Sequence, residues 1–186
     1  MRIVILGWGS LIWEPSKLPL GTDWIQAGPV LPLEFSRISE SRRGALTLVI
    51  DPENGTRVQT RHAVSQRVNL EETINDLTIR EKTSSKSIGY INLSNGSKQC
   101  NFYPEAYNII SRWAAENNFD AVVWTDLLSN FLQKTGSKFG ILRARDYLKS
   151  LPQHAARKAR EYINNAPSEV DTTLRIMLRG DPWLNA

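Results

Sequence analysis

The sequence predicts a mixed α+β fold, with strands mostly early and helices mostly late. Three observations predict it. The apolar, β-favouring run Ile3-Val4-Ile5-Leu6 opens the chain and reads as a buried strand. Short alternating or apolar segments separated by turn residues fill residues 33–65. Helical spacing of apolar residues takes over after Asn69, after Pro104 and again towards the C-terminus. At 186 residues the chain suits one domain, 1–186, with a real core.

The elements follow in order. The first strand is expected over Arg2 to Leu6. The stretch holding Pro15, Pro19, Gly21, Gly28, Pro29 and Pro32 reads as loop with room for one short strand. Leu33 to Ser39 alternates and suits a strand, and Ala45 to Ile50 is apolar and β-rich. Asp51-Pro52-Glu53-Asn54-Gly55 is a strong turn, after which Thr56 to Ser65 resumes the β pattern. Together these segments predict an antiparallel meander. Asn69 can cap a helix, with Glu72 three residues on, and Leu70, Ile74 and Leu77 or Thr78 share one face. That helix should end near Arg80 to Thr83, since Ser84, Ser85 and Ser87 continue a helix poorly. Ile88 to Leu93 reads as a strand and Asn95-Gly96 as a turn. Pro104 to Asn117 reads as a helix with Pro104 in its first turn, and Ala121 to Trp124 as a buried strand. Arg143 to Asn165 is mainly helical and interrupted at Pro152, and Arg175 to Arg179 with Trp183 form a tail that packs back.

Composition narrows the functional classes. Hydrophobic content of 41% and charged content of 23% are ordinary for a soluble globular protein. No apolar window approaches the ~18 residues of a membrane helix, and the short run after Arg2 is broken by Gly7 and Gly9, unlike a signal peptide. A single cysteine, Cys100, fits a reducing cytoplasm and reads as a small buried hydrophobe rather than a nucleophile. His62 and His154 are far apart, and no zinc spacing is present, so no metal or cofactor is expected. The net charge is +4, with Arg143, Arg145, Lys149, Arg157, Lys158 and Arg160 as the densest basic group. These read as a solvated helix face, and they lack the aromatic interleaving of a nucleic-acid binder. Neither nucleic acid nor membrane is an expected partner.

Two segments can carry chemistry. Gly7-Trp8-Gly9-Ser10-Leu11 follows the first strand, and a glycine turn there lets backbone approach a bound group and offers successive N–H donors to an anion. The same residues also read as a plain turn, with Trp8 and Trp13 as packing aromatics. A dinucleotide fingerprint fails at Ile12, and no Gly-Lys-Ser/Thr follows for a P-loop. The acidic candidate is Glu81, at a helix end leading into Ile88-Gly89-Tyr90-Ile91. The partial negative charge of a helix C-terminus disfavours a bare carboxylate, which suits a proton-accepting role. Alternatively, Glu81 is a solvated carboxylate paired with Arg80, Lys82 or Lys86. Glu14, Glu34 and Glu40 read as exposed or turn residues. Arg42 and Arg43, before Gly44, are either carboxylate ligands or surface charge.

These segments resemble the gamma-glutamylcyclotransferase-like family. The strand followed by Gly-Trp-Gly-Ser-Leu is similar to that family's Tyr-Gly-Ser-Leu loop, with Trp8 in the tyrosine's place. Phe35-Ser36-Arg37 through Arg43-Gly44, Thr47-Leu48-Val49-Ile50 and Gly55-Thr56-Arg57-Val58 are similar to its second block of strands. Glu81, nine residues before Tyr90, is similar to its third block, with Lys82 where glycine is common. The likeness spans residues 2–93. It implies a small mixed β-barrel flanked by helices, with a substrate cavity at one end. It implies an enzyme that cleaves a small gamma-glutamyl compound by attack of the substrate's own α-amine. The products are then 5-oxoproline and an amine or amino acid. By this resemblance Gly7, Trp8, Gly9, Ser10, Leu11 and Tyr90 bind substrate, and Glu81 shuttles the proton. Such a reaction needs no protein nucleophile, only a folded substrate and one carboxylate acting as base and then acid. The competing reading is a binding module on the same scaffold, with Trp8, Trp13 and Trp24 at its mouth and Trp113 and Trp124 in the core.

Overall fold

The computed structural model describes residues 1–100 and 103–186. In chain order its strands are β1 (Ile3–Gly7), β2 (Val30–Ser39), β3 (Ala45–Ile50), β4 (Thr56–Gln59), β5 (Arg61–Val64), β6 (Ile88–Asn92), β7 (Lys98–Gln99) and β8 (Ala121–Thr125). Its helices are α1 (Leu70–Glu81), α2 (Pro104–Glu116), α3 (Phe131–Thr135), α4 (Ile141–Ser150), α5 (Gln153–Asn165) and α6 (Thr173–Arg179). The architecture is mixed α+β, with one five-stranded and one three-stranded sheet. Among the described residues these sheets form no closed barrel. The chain divides into two compact units, residues 1–31 with 59–127, and residues 32–58 with 128–186.

The first unit is built on the five-stranded sheet, ordered β5-β1-β8-β6-β7. β1 lies inside it, parallel to β8 and antiparallel to β5, with Val4 opposite Val122 and Val64. A strand covered on both faces needs apolar residues throughout rather than in alternation, which is why Ile3-Val4-Ile5-Leu6 is a continuous run. Ile3, Ile5, Ile88, Ala121 and Val123 share a core with Leu77 of α1, against which Leu70 and Ile74 also pack. The 70, 74, 77 spacing puts one apolar stripe of α1 on the sheet. Asn69 caps this helix, its side chain accepting from the N–H groups of Glu71 and Glu72 at 2.8 and 3.2 Å.

The other end of α1 has a cause the serines did not reveal. Lys82 adopts a left-handed conformation, φ 52°, and donates its N–H to the Ile79 carbonyl, while Thr83 N–H returns to Thr78. Glycine is the residue that takes this closing position without a Cβ penalty. Lys82→Gly should therefore raise stability by about 0.5–1 kcal/mol, read as a higher urea midpoint with unchanged slope. A lower midpoint would contradict the assigned conformation.

Two glycines of this unit make room for indoles. A Cβ on Gly89 would lie 2.2 Å from the Trp124 ring, and one on Gly7 would lie 2.7 Å from the Trp24 ring. Trp124 is accordingly buried completely, in agreement with a packing role. Trp113 of α2 is half-buried, donating its indole N–H to Ala27 O at 2.9 Å and meeting the His62 ring edge to face and the Phe119 ring at a tilt.

The second unit carries most of the three-stranded sheet, ordered β3-β2-β4. The predicted meander is thus corrected. β2, not β3, is central, and the β pattern of residues 56–65 splits: β4 joins β2, whereas β5 pairs with β1. α5 covers β3 with Ala155, Ala156, Ala159, Tyr162 and Ile163, and the Phe35 and Tyr162 rings meet edge to face at 6.2 Å. α3 was not predicted: five residues are too few to display helical periodicity.

Glu34 also departs from expectation. The alternation of residues 33–39 placed it outward, yet it is 0% exposed. A register irregularity between Glu34 and Arg37 disturbs the pairing of β2 with β3. Its carboxylate accepts from Phe35 N–H at 2.8 Å and, at the start of α6, from Leu174 N–H at 3.3 Å. Burial pushes its pKa up, and the nearby Asp51 adds to this. The hydrogen bonds from Thr172, Phe35 and Leu174 oppose it without cancelling it. A raised folded value means the folded chain holds this proton more tightly than the unfolded chain. The stabilisation is complete below the ordinary glutamate range and is lost as pH rises through the elevated value. Relative to Glu34→Gln, the wild-type protein should lose stability as pH rises from about 4 to 7, measured as the difference in urea midpoints. A difference that grows with pH would contradict this account.

Candidate functional site

The residues singled out by sequence lie in the first unit. After β1 the chain turns at once: Ile12 N–H bonds to Gly9 O at 3.0 Å and Glu14 N–H to Ser10 O at 2.8 Å. Among the described residues, the N–H groups of Gly9, Ser10 and Leu11 meet no protein acceptor. Trp8 and Gly9 are buried, Ser10 is half-buried, and Leu11 turns its side chain into the core shared by β1 and α1. Gly7 is buried under the Trp24 indole, which leaves no space for a Cβ there.

Glu81 is the last residue of α1, with its side chain 17% exposed. The carboxylate is bound by Arg80: Nη1 meets Oε1 at 2.5 Å. The same guanidinium extends to the turn after β1, where Nη2 donates to the Glu14 carbonyl at 2.6 Å and to Ser10 Oγ at 3.3 Å. Arg80 therefore brings Glu81 and the glycine turn together across 70 residues of sequence. Sequence reasoning considered Arg80 only as a neutralising neighbour. The Arg80–Glu81 pairing was thus named; what had no local signal was the reach of the same guanidinium to Ser10 and Glu14.

Tyr90 sits on β6, opposite Val123 and Gln99, half-buried against the same core as Leu11. The connection from Glu81 to Tyr90 is tied down at Gln99, whose side-chain amide donates to Ser85 O at 2.7 Å and Ile88 O at 2.6 Å. Leu11 of the glycine turn and Tyr90 thus pack on one core cluster, to which α1 contributes Leu77, one turn before Glu81.

The other candidates behave as ordinary structural groups. The half-buried Cys100 donates its thiol to Tyr103 O at 3.2 Å, and burial pushes its pKa up, which keeps it a thiol rather than a nucleophilic thiolate. Glu40 is exposed and paired with Lys134 at 2.5 Å. In the second unit, Arg42 lies over the Tyr162 ring at 4.9 Å, and Arg43 occupies a turn at φ 57°. Three basic residues of α4 and α5 are paired with acidic side chains, Arg145 with the adjacent Asp146, Lys158 with Glu161 one turn on, and Lys149 with Asp181 after α6. Burial pulls the His62 pKa down, and Arg2 adds to this.

Among the described residues no group of three or more His, Cys, Asp or Glu side chains could hold a metal ion. No helix there is long and apolar enough to cross a membrane. No family model, curated protein sequence or solved structure matches the chain.

Proposed function

We propose that this chain is a gamma-glutamylcyclotransferase-type enzyme. It would cleave a small gamma-glutamyl compound by attack of the substrate's α-amine on its γ-carbonyl, releasing 5-oxoproline and an amine or amino acid. The observation that carries this reading is the joining of Glu81 to the Gly7–Leu11 turn through one guanidinium, since the reaction needs a carboxylate beside a set of backbone donors. The amides of Gly9, Ser10 and Leu11 are the donors proposed for the substrate carboxylate or the developing oxyanion. Glu81 takes the proton that the α-ammonium must lose, and returns one to the departing nitrogen. Tyr90 borders the same core and is the proposed wall of the substrate site.

Of the family's small mixed β-barrel this proposal keeps the mixed strand pairing and not the closure. Parallel and antiparallel pairing around β1 supports its mixed character. A cytoplasmic setting belongs to it too, supported by the single cysteine. The test is incubation of the purified protein with gamma-glutamyl amino acids, gamma-glutamyl amines and glutathione, with 5-oxoproline detected by mass spectrometry. The expected result is release from at least one member and none from its N-acetylated form, whose blocked amine cannot attack. Release of glutamate instead would point to hydrolysis by water. No release from folded protein would favour a binding module.

A further inference from the structure

We infer that Arg80 is the positioning residue of this site, a clamp that fixes the Glu81 carboxylate relative to the turn after β1. The role in catalysis rests on the cyclotransferase reading, whereas the clamp itself rests on geometry. A guanidinium presents five N–H donors in one plane, and here it serves three acceptors from two segments: Glu81 Oε1, the Glu14 carbonyl and Ser10 Oγ. The Arg80 side chain is only 9% exposed, so these charge-assisted bonds are little weakened by water. The arrangement is not the default of a helix end. What sets Arg80–Glu81 apart from the exposed adjacent pair Arg145–Asp146 of α4 is its burial and the reach of the same guanidinium to residues 10–14.

This contact does three things at once. It restrains the rotamers of a carboxylate at a helix terminus, which would otherwise fray. It pins the turn whose amides are the proposed anion donors. It also selects which carboxylate oxygen works: among the described residues only Oε1 is engaged, leaving Oε2 to exchange the proton. A lysine would keep the charge yet could not fork across the same acceptors.

The experiment compares Arg80→Lys and Arg80→Gln with wild type in the intact chain, by two readouts. Amide hydrogen exchange at Ile12 and Glu14 reports the turn without requiring activity. We expect exchange about tenfold or more faster in Arg80→Gln, with protection in the core strand β8 unchanged. In 5-oxoproline release we expect kcat to fall about tenfold to a hundredfold with little change in KM, less severely in Arg80→Lys, and to recover partly when guanidinium ion is added to Arg80→Ala. Unchanged exchange in both variants overturns the clamp whatever the activity. An active wild type whose kcat survives in Arg80→Gln overturns the positioning role. A wild type inactive on every gamma-glutamyl compound overturns the functional reading and, with it, the catalytic part of this inference, and exchange still decides the clamp.

Discussion

Arg175→Ala should cost about 3 kcal/mol or more of folding stability, the largest single loss we expect outside the apolar core. Arg175 is a charged residue only 7% exposed. It survives burial because its guanidinium is surrounded by carbonyls: Nη1 donates to Pro167 O at 2.5 Å and Val170 O at 3.0 Å, and Nη2 to Ala166 O at 2.6 Å. These carbonyls lie at the C-cap of α5 and in the segment that follows it, before α6 begins. Burial lowers the Arg175 pKa, as does the nearby Arg179, and Asp171 and Glu169 oppose both. An arginine nevertheless stays protonated. Truncation would leave the buried Ala166 and Val170 carbonyls without this donor, each worth about 1–3 kcal/mol when unpaired, whereas Pro167 O keeps the Val170 N–H. Arg175→Lys should lose less, because one ammonium can reach some but not all of the three. Urea unfolding of both variants measures this, and a loss below about 1 kcal/mol in Arg175→Ala would show that the carbonyls find other donors.

Glu81→Gln should lower turnover about a hundredfold to ten-thousandfold, the range of general acid–base catalysis. The substitution keeps the shape of the side chain and retains an oxygen that can accept from Arg80 Nη1, so the clamp on the turn stays in place. What it removes is the ability to take a proton from the substrate ammonium. The melting temperature should therefore move little while activity disappears. A variant that loses both together would indicate that Glu81 acts through the fold. Retained activity would transfer the proton role elsewhere.

Legibility in the sequence followed the length scale of each signal. β1, β3, α1 and α2 were readable because periodicity and caps are local, and Asn69 bonds to the two amides its capping role requires. Partner choice among strands is a long-range property, and so the division of residues 56–65 between β4 and β5 was not readable. Glu34 was misplaced for a related reason. Strict alternation assumes one solvated face, whereas Leu33, Glu34, Phe35 and Ser36 are all buried. In the candidate site the turn and Glu81 were readable as separate chemical possibilities. Their link was not, because it depends on Arg80 folding back at the end of α1. The packing of Trp24 on Gly7 was not readable either, because the two are 17 positions apart with no local signature.

The central claim is that one carboxylate, held beside a glycine turn, drives cyclisation of a gamma-glutamyl substrate. The measurement that tests it most directly is the rate of 5-oxoproline formation by wild type and Glu81→Gln, run side by side on the gamma-glutamyl panel, with folding of both confirmed by circular dichroism. The account predicts release by the wild-type protein and its loss in the folded variant. Equal release by both, or none by a folded wild type, would contradict it.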